Sequence, residues 1–287
     1  MKDFLINTAV NLLDAVGLDG DRIGFKAAIY SYKLGLKGKI DASKPYPVNS
    51  IQLYLDENDT LQIARRGKFE ELETDVLLAH VREDSVLLDI GANIGYYTVQ
   101  VARKATAGKV IAFEPDPANF DRLQRNAALN GVNNVVLHNA ALSDKGGNMR
   151  LYKHPFNTGD YRLYNDGDFE EFVDVPTLRL DDVVNEPVDV IKIDVQGFEY
   201  FVMKGGEAML NRYKPMILTE FWPRGLTNSG VQPKAYLDLL ETKGYQPHRV
   251  DEQLRKVVPT DYAYLNQFSA KPVNKYLNLL FTAGEQV

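Results

Sequence analysis

Three short apolar runs end in an acidic residue beside a glycine or proline, and these carry the chemistry the sequence offers. The first reads L-L-D-I-G-A-N-I-G-Y-Y over residues 87–97. Gly91 and Gly95 let the backbone turn tightly after a buried strand, so a ligand can approach the main chain and the N-terminus of the next helix. The turn lacks the third glycine of the dinucleotide fingerprint G-x-G-x-x-G, which weighs against a nicotinamide cofactor. Asp89, just before the turn, would repel a pyrophosphate. It could instead bind, directly or through water, the cationic methionyl end of S-adenosylmethionine.

The second run is V-I-A-F-E-P-D, residues 110–116, with Glu114 at the expected end of the next strand. A carboxylate there can accept hydrogen bonds from both hydroxyls of a ribose, although a turn at the surface would also accommodate a glutamate. The third is V-I-K-I-D-V-Q-G-F-E, residues 190–199. Ligands of open α/β sheets sit beyond the carboxyl ends of the strands, so Asp194 should face the same cleft as Gly91. Strand alternation puts Lys192 on the same side as Asp194. A lysine in an apolar strand needs a partner, and a purely structural ion pair would supply one as well as a catalytic arrangement would.

These segments, with A-L-S-D and L-N-G-V-x-N-V between them, resemble the FkbM-type methyltransferases over about Phe69 to Phe221, and more weakly to the C-terminus. The resemblance implies an α/β, Rossmann-like class I methyltransferase fold: a seven-stranded, mostly parallel sheet with helices on both faces. It implies S-adenosylmethionine as donor and a hydroxyl, often on a sugar or polyketide, as acceptor. By that resemblance Asp89, Gly91, Ala92, Asn93 and Gly95 form the methionine-side turn, and Glu114 is the ribose acid bordered by Pro115 and Asp116. Asn139, Ala140, Ala141 and Leu142 lie beside the adenine, and Asp194 faces the transferred methyl. Gln196 stands where the family commonly has Glu, which leaves neutral hydrogen bonding as its role here.

An alcohol acceptor must lose a proton, so a general base helps. Asp194 is the first candidate and Glu220, at the next strand end, the second. Lys192 would orient Asp194 or lower the pKa of the acceptor. Glu199 is expected to cap or pair locally, and His138 and His248 to be structural. Asp194 and Glu220 offer oxygen ligands to a divalent metal, but no complete metal motif is present, and no metal is predicted. The aromatic, acidic stretch 156–174 and the segment 222–225 are the expected acceptor-binding elements, unless the aromatics simply pack on the core.

The elements that must position these residues begin at about residue 85. Apolar runs at 86–90, 110–113, 135–137, 188–193 and 216–218 alternate with helical stretches at 97–103 and 119–130. That rhythm predicts a parallel sheet covered on both faces. Residues 144–186 interrupt it with two short strands around a variable loop. A helix over 233–243, stopped by Gly244, precedes a closing strand at 276–281. Residues 1–75 read as an N-terminal appendage to a methyltransferase domain at 76–287. The appendage holds an amphipathic helix within the first 18 residues, a strand near 51–55, a turn at 56–59 and the approach to a helix over 69–81.

The 287 residues are 45% hydrophobic and 25% charged, with a formal net charge of −6, the balance of a globular protein without a standing basic face for nucleic acid. There is no cysteine, which excludes a disulfide framework, a thiolate metal site or a cysteine nucleophile. The four histidines include no H-x-x-x-H pair. Polar residues break up the N-terminal apolar stretch, so neither a signal peptide nor a membrane span is expected, and a cytoplasmic location is. The partners expected are a small-molecule or glycan acceptor and, through the N-terminal helix, a second copy of the chain. Competing readings are an RNA 2′-O-methyltransferase, which the acidic balance disfavours, and a non-catalytic S-adenosylmethionine-binding assembly subunit, which Gln196 keeps open.

Overall fold

The computed structural model describes residues 39–155, 157–167, 169–271 and 275–284. The helix expected within residues 1–18, its association role and Phe156 lie outside them.

Five strands run parallel in the order β5 (Val135–His138), β4 (Lys109–Phe113), β3 (Val86–Ile90), β9 (Val190–Ile193) and β10 (Met216–Phe221). β13 (Leu277–Ala283) then lies antiparallel between β10 and β11 (Tyr245–Asp251). These seven strands match the expected sheet. An eighth, β12 (Lys256–Pro259), extends the edge beside β11, so the expected count of seven is corrected. β12, at the edge, is only four residues long, and β11 inside it mixes polar residues and proline with few apolar ones, which hides both among turns.

The central strands are apolar on both faces because helices cover both. Leu88, Ile90, Ile191 and Ile193 join one core with the helices Glu199–Gly205, Pro233–Thr242 and Tyr262–Ser269. Leu87, Val110, Val190 and Leu218 join the other, against the helices Glu71–Ala79 and Tyr96–Lys104. Consecutive residues therefore serve opposite cores, as the two-residue period of a strand requires. The helix Pro117–Leu129 begins with Pro117 in its first turn and Asp116 as its cap, accepting from the Ala118 and Asn119 amides.

The interruption at 144–186 forms a separate sheet, β7 (Gly147–Tyr152) antiparallel to β8 (Phe172–Leu178), with the two-residue β6 (Ala141–Leu142) parallel to β8. Among the described residues of the N-terminal segment, β1 (Tyr46–Val48) and β2 (Ile51–Leu53) form a hairpin packed against the second core. Fully buried Asn126 ties it down, donating to the Tyr54 and Ile94 carbonyls and accepting the Tyr54 amide at 2.6 Å. Further along, the Tyr96 hydroxyl donates to the Phe69 carbonyl at 2.7 Å. This contact brings Glu70 and Glu73 to the carboxyl end of the sheet.

The ends of β3 and β9 approach so closely at Gly91 that a Cβ there would lie 2.0 Å from the Asp194 carbonyl oxygen, and Gly91 has φ +79°. Gly91→Ala is therefore expected to destabilise the chain by about 3 kcal/mol through overpacking and left-handed strain. Urea unfolding measures this, and an unchanged midpoint would contradict the close approach.

Candidate active site

Two cavities open beyond the carboxyl ends of the strands and meet at Asp194. The first lies over the turn after β3. Its lining includes Gly91, Asn93, Glu114 and Pro115 from the ends of β3 and β4, and Ala140, Ala141 and Leu142 from the segment after β5. Asn93 (φ +50°) donates its amide to Glu114 Oε2 at 2.8 Å, and the Asp116 amide donates to Oε1 at 2.8 Å. Each Glu114 oxygen is thus fixed by one backbone donor and keeps accepting capacity at the cavity wall. Burial, reinforced by the Asp116 and Asp89 carboxylates, outweighs these hydrogen bonds and pushes the Glu114 pKa up to about 8.

Five residues expected to bind cofactor do not line this cavity, and each does something else. Asp89 is buried and accepts from the Thr98 hydroxyl at 2.5 Å. Ala92 packs against Ala112 and Leu123. Gly95, at φ +87°, begins the helix Tyr96–Lys104. Asp116 caps its helix and pairs with Lys153 at 2.6 Å. Asn139 donates to the Glu114 and Pro115 carbonyls, bracing the strand end from behind. These five shape the cavity without facing it.

The second cavity is lined by Lys192, Asp194 and Glu220. Lys192 Nζ pairs with Asp194 Oδ2 at 3.3 Å and lies 5.0 Å from the centre of the Tyr97 ring. Burial alone would lower the Lys192 pKa, but the Asp194, Glu70 and Asp89 carboxylates outweigh it and raise it. Gln196, at φ +52°, donates its amide to Asp194 Oδ1 at 2.8 Å, so both Asp194 oxygens have a donor. Burial, then the Asp194 and Glu199 charges, raises the Glu220 pKa well above the usual carboxylate range. Glu199 accepts from the Val195 and Gly197 amides and so holds the turn that aims Asp194.

The remaining walls of this cavity come from residues the sequence reading did not single out. Glu70 and Glu73 arrive on the N-terminal segment, Glu252 on the turn after β11, Tyr276 just before β13 and Asn278 within it. The Tyr97 hydroxyl donates to Glu70 at 2.6 Å and Asn278 to Glu73 at 2.6 Å. Nothing local marks these positions; only the folded arrangement gathers them.

The two elements expected to bind acceptor are placed differently. Thr158, Gly159, Tyr161 and Leu163 of the loop line the first cavity, not the second. Trp222 lines neither. The Arg162 guanidinium lies 4.9 Å from its ring centre and pairs with Asp160 at 2.7 Å and Asp166 at 2.6 Å, so this aromatic, acidic stretch locks the loop onto the domain. His138 stacks on Phe113 and His248 sits in β11; neither lines a cavity. Among the described residues no group of three or more His, Asp or Glu side chains could hold a metal ion, and no helix is long and apolar enough to cross a membrane.

The first cavity fits S-adenosylmethionine on the residues present. Glu114 offers accepting capacity to a ribose diol, Asn93 Oδ1 is a buried acceptor without a partner, and the lining between Ala140 and Leu142 is apolar. Hydroxyl donors need an ionised Glu114, which holds a proton below about pH 8. Binding must then release that proton. The affinity for S-adenosylhomocysteine should rise by up to about tenfold per pH unit as the pH climbs toward 8, then level off. Calorimetry at a series of pH values checks this; a flat profile would contradict it.

The sheet order, with β13 antiparallel between β10 and β11, and an acid at the end of β4 facing the cavity over a glycine turn, are those of the class I methyltransferase fold. The chain belongs to the FkbM methyltransferase family, whose domain profile matches residues 89–247. It is 30% identical over 146 residues to Methyltransferase 1 of Beauveria bassiana, covering 43% of this chain and 59% of that protein's length. It is 31% identical over 180 residues to the 2-O-methyltransferase NoeI of Sinorhizobium fredii (55% and 72%). It is 30% identical over 170 residues to the hexuronic acid methyltransferase AglP of Haloferax volcanii (58% and 65%).

Proposed function

We propose that the chain methylates a hydroxyl of a sugar, glycan or polyketide-type small molecule, with the donor in the first cavity and the acceptor in the second. The meeting of the two cavities at Asp194 carries this reading. The relatives named for 2-O-methylation and for a hexuronic acid support oxygen as the receiving atom and a sugar as its parent. S-adenosylmethionine, when bound, supplies a methyl group on a sulfonium that leaves in an in-line displacement.

The residues of the chain do the rest. Asp194 accepts the proton as the acceptor O–H bond breaks, then gives it up to water. Lys192 and Gln196 hold the carboxylate from two sides so that it points where the cavities join. Glu220 stands behind as the second candidate, but its raised pKa favours the form that already holds a proton, which leaves Asp194 as the acceptor. Glu114 holds the donor's ribose, Gly91 and Asn93 its methionyl side, and Ala140 to Leu142 its base. The transferase domain is residues 76–287, and the 1–75 appendage contributes Glu70 and Glu73 to the acceptor side.

The test is transfer of an isotopically labelled methyl to a panel of hydroxylated glycans and polyketides, read by mass spectrometry. A methylated oxygen in one acceptor is expected. Label on nitrogen alone, or no transfer by protein that binds the donor, would overturn the reading.

A further inference from the structure

The second cavity gathers carboxyl side chains around a single lining cation among the described residues. Glu73, Asp194 and Glu220 line its inner part, and the exposed Glu70 and Glu252 its rim. Lys192 is the one cation lining it among the described residues, and it is already paired with Asp194. Asn278 and Tyr97 donate to Glu73 and Glu70, but they are neutral and cancel no charge. No hydrogen bond or ion pair among the described residues reaches the Glu220 carboxylate, although it is desolvated beside Asp194 and Glu199. The basic residues nearby, Arg66, Lys68 and Arg255, line an outer cleft that shares Glu70, Glu73 and Glu252 with this cavity, and Lys68 pairs there with Glu71, so they face the rim and not the inner part at Asp194 and Glu220.

Burial beside like charges favours the protonated form of Glu220, and a ligand that brings positive charge favours its carboxylate. On the reading that this cavity holds the acceptor, we infer that it selects a polyol carrying a protonated amine near the hydroxyl, in class an aminosugar or aminocyclitol, and turns away carboxylated and phosphorylated acceptors. An ammonium has three donors and no acceptor, which suits an unpaired Glu220 flanked by rim carboxylates. The Tyr97 and Tyr276 rings supply faces for the cation and for the apolar side of a sugar ring. A protonated amine has no lone pair to attack with, so the methyl goes to oxygen.

The test uses the full chain loaded with S-adenosylhomocysteine, whose binding is confirmed first by calorimetry. Failure at that step would strike the proposed function and not this inference. Ligand-observed NMR at about pH 6.5, where an alkyl ammonium keeps its proton, then compares glucosamine, glucose and glucuronate. Glucosamine is expected to bind about tenfold tighter than glucose, with glucuronate weaker again. Glu220→Gln should bring glucosamine to within about threefold of glucose, and Glu70→Gln should lower the preference in part. No preference for the amine, absence of all binding included, would overturn the inference. So would a preference that both glutamine variants leave intact.

Discussion

Asp194→Asn should lower kcat by a factor of about 10² to 10⁴ while the Kd for S-adenosylhomocysteine moves by no more than about threefold. The substitution keeps the size and one carbonyl oxygen of the side chain but removes the group that takes the acceptor's proton. It also leaves Lys192, 8% exposed, without its carboxylate partner, so some stability is lost. The double variant Lys192→Met/Asp194→Asn separates the two effects: stability should recover and activity should not. A single variant that keeps its kcat would move the proton acceptor to Glu220, the other strand-end carboxylate of this cavity.

Glu114→Ala has the second large expected effect, on donor binding. It removes the acceptor of the Asn93 and Asp116 amides as well as the partner for the ribose hydroxyls. Losing hydrogen bonds to a buried charged group corresponds to about 2–4 kcal/mol, so the Kd for S-adenosylhomocysteine should rise by about two orders of magnitude or more. Glu114→Gln keeps the shape and should lose less. It should also erase the pH dependence of binding, because the titrating group is gone. Equal affinities in wild type and Glu114→Ala would contradict the assignment of the first cavity.

The central architecture was legible because its signals are local. Buried parallel strands read as unbroken apolar runs, and the motifs at Gly91, Glu114 and Asp194 sit at their ends, where the sheet topology gathers them. Even so, a motif names a stretch and does not say which side chains point inward. Asp89, Ala92, Gly95, Asp116 and Asn139 belong to the motifs yet face the core, a helix terminus or a strand end.

The acceptor side was much less legible. Its walls come from Glu70, Glu73, Glu252, Tyr276 and Asn278, far apart in sequence and without a local pattern. Aromatic composition pointed to the 156–174 loop and Trp222 instead, but Arg162 and its two aspartates use those residues to anchor the loop beside the donor cavity. β11 escaped because it mixes polar residues and proline where the central strands carry valine and isoleucine, and β12 because its apolar run is only two residues long.

The most direct test of the donor site is calorimetric titration of the full chain with S-adenosylhomocysteine and, separately, with S-adenosylmethionine. Saturable binding at one site per chain, strengthening toward pH 8 and lost in Glu114→Ala, is the predicted result. A well-folded wild-type chain that takes up neither ligand would contradict the account.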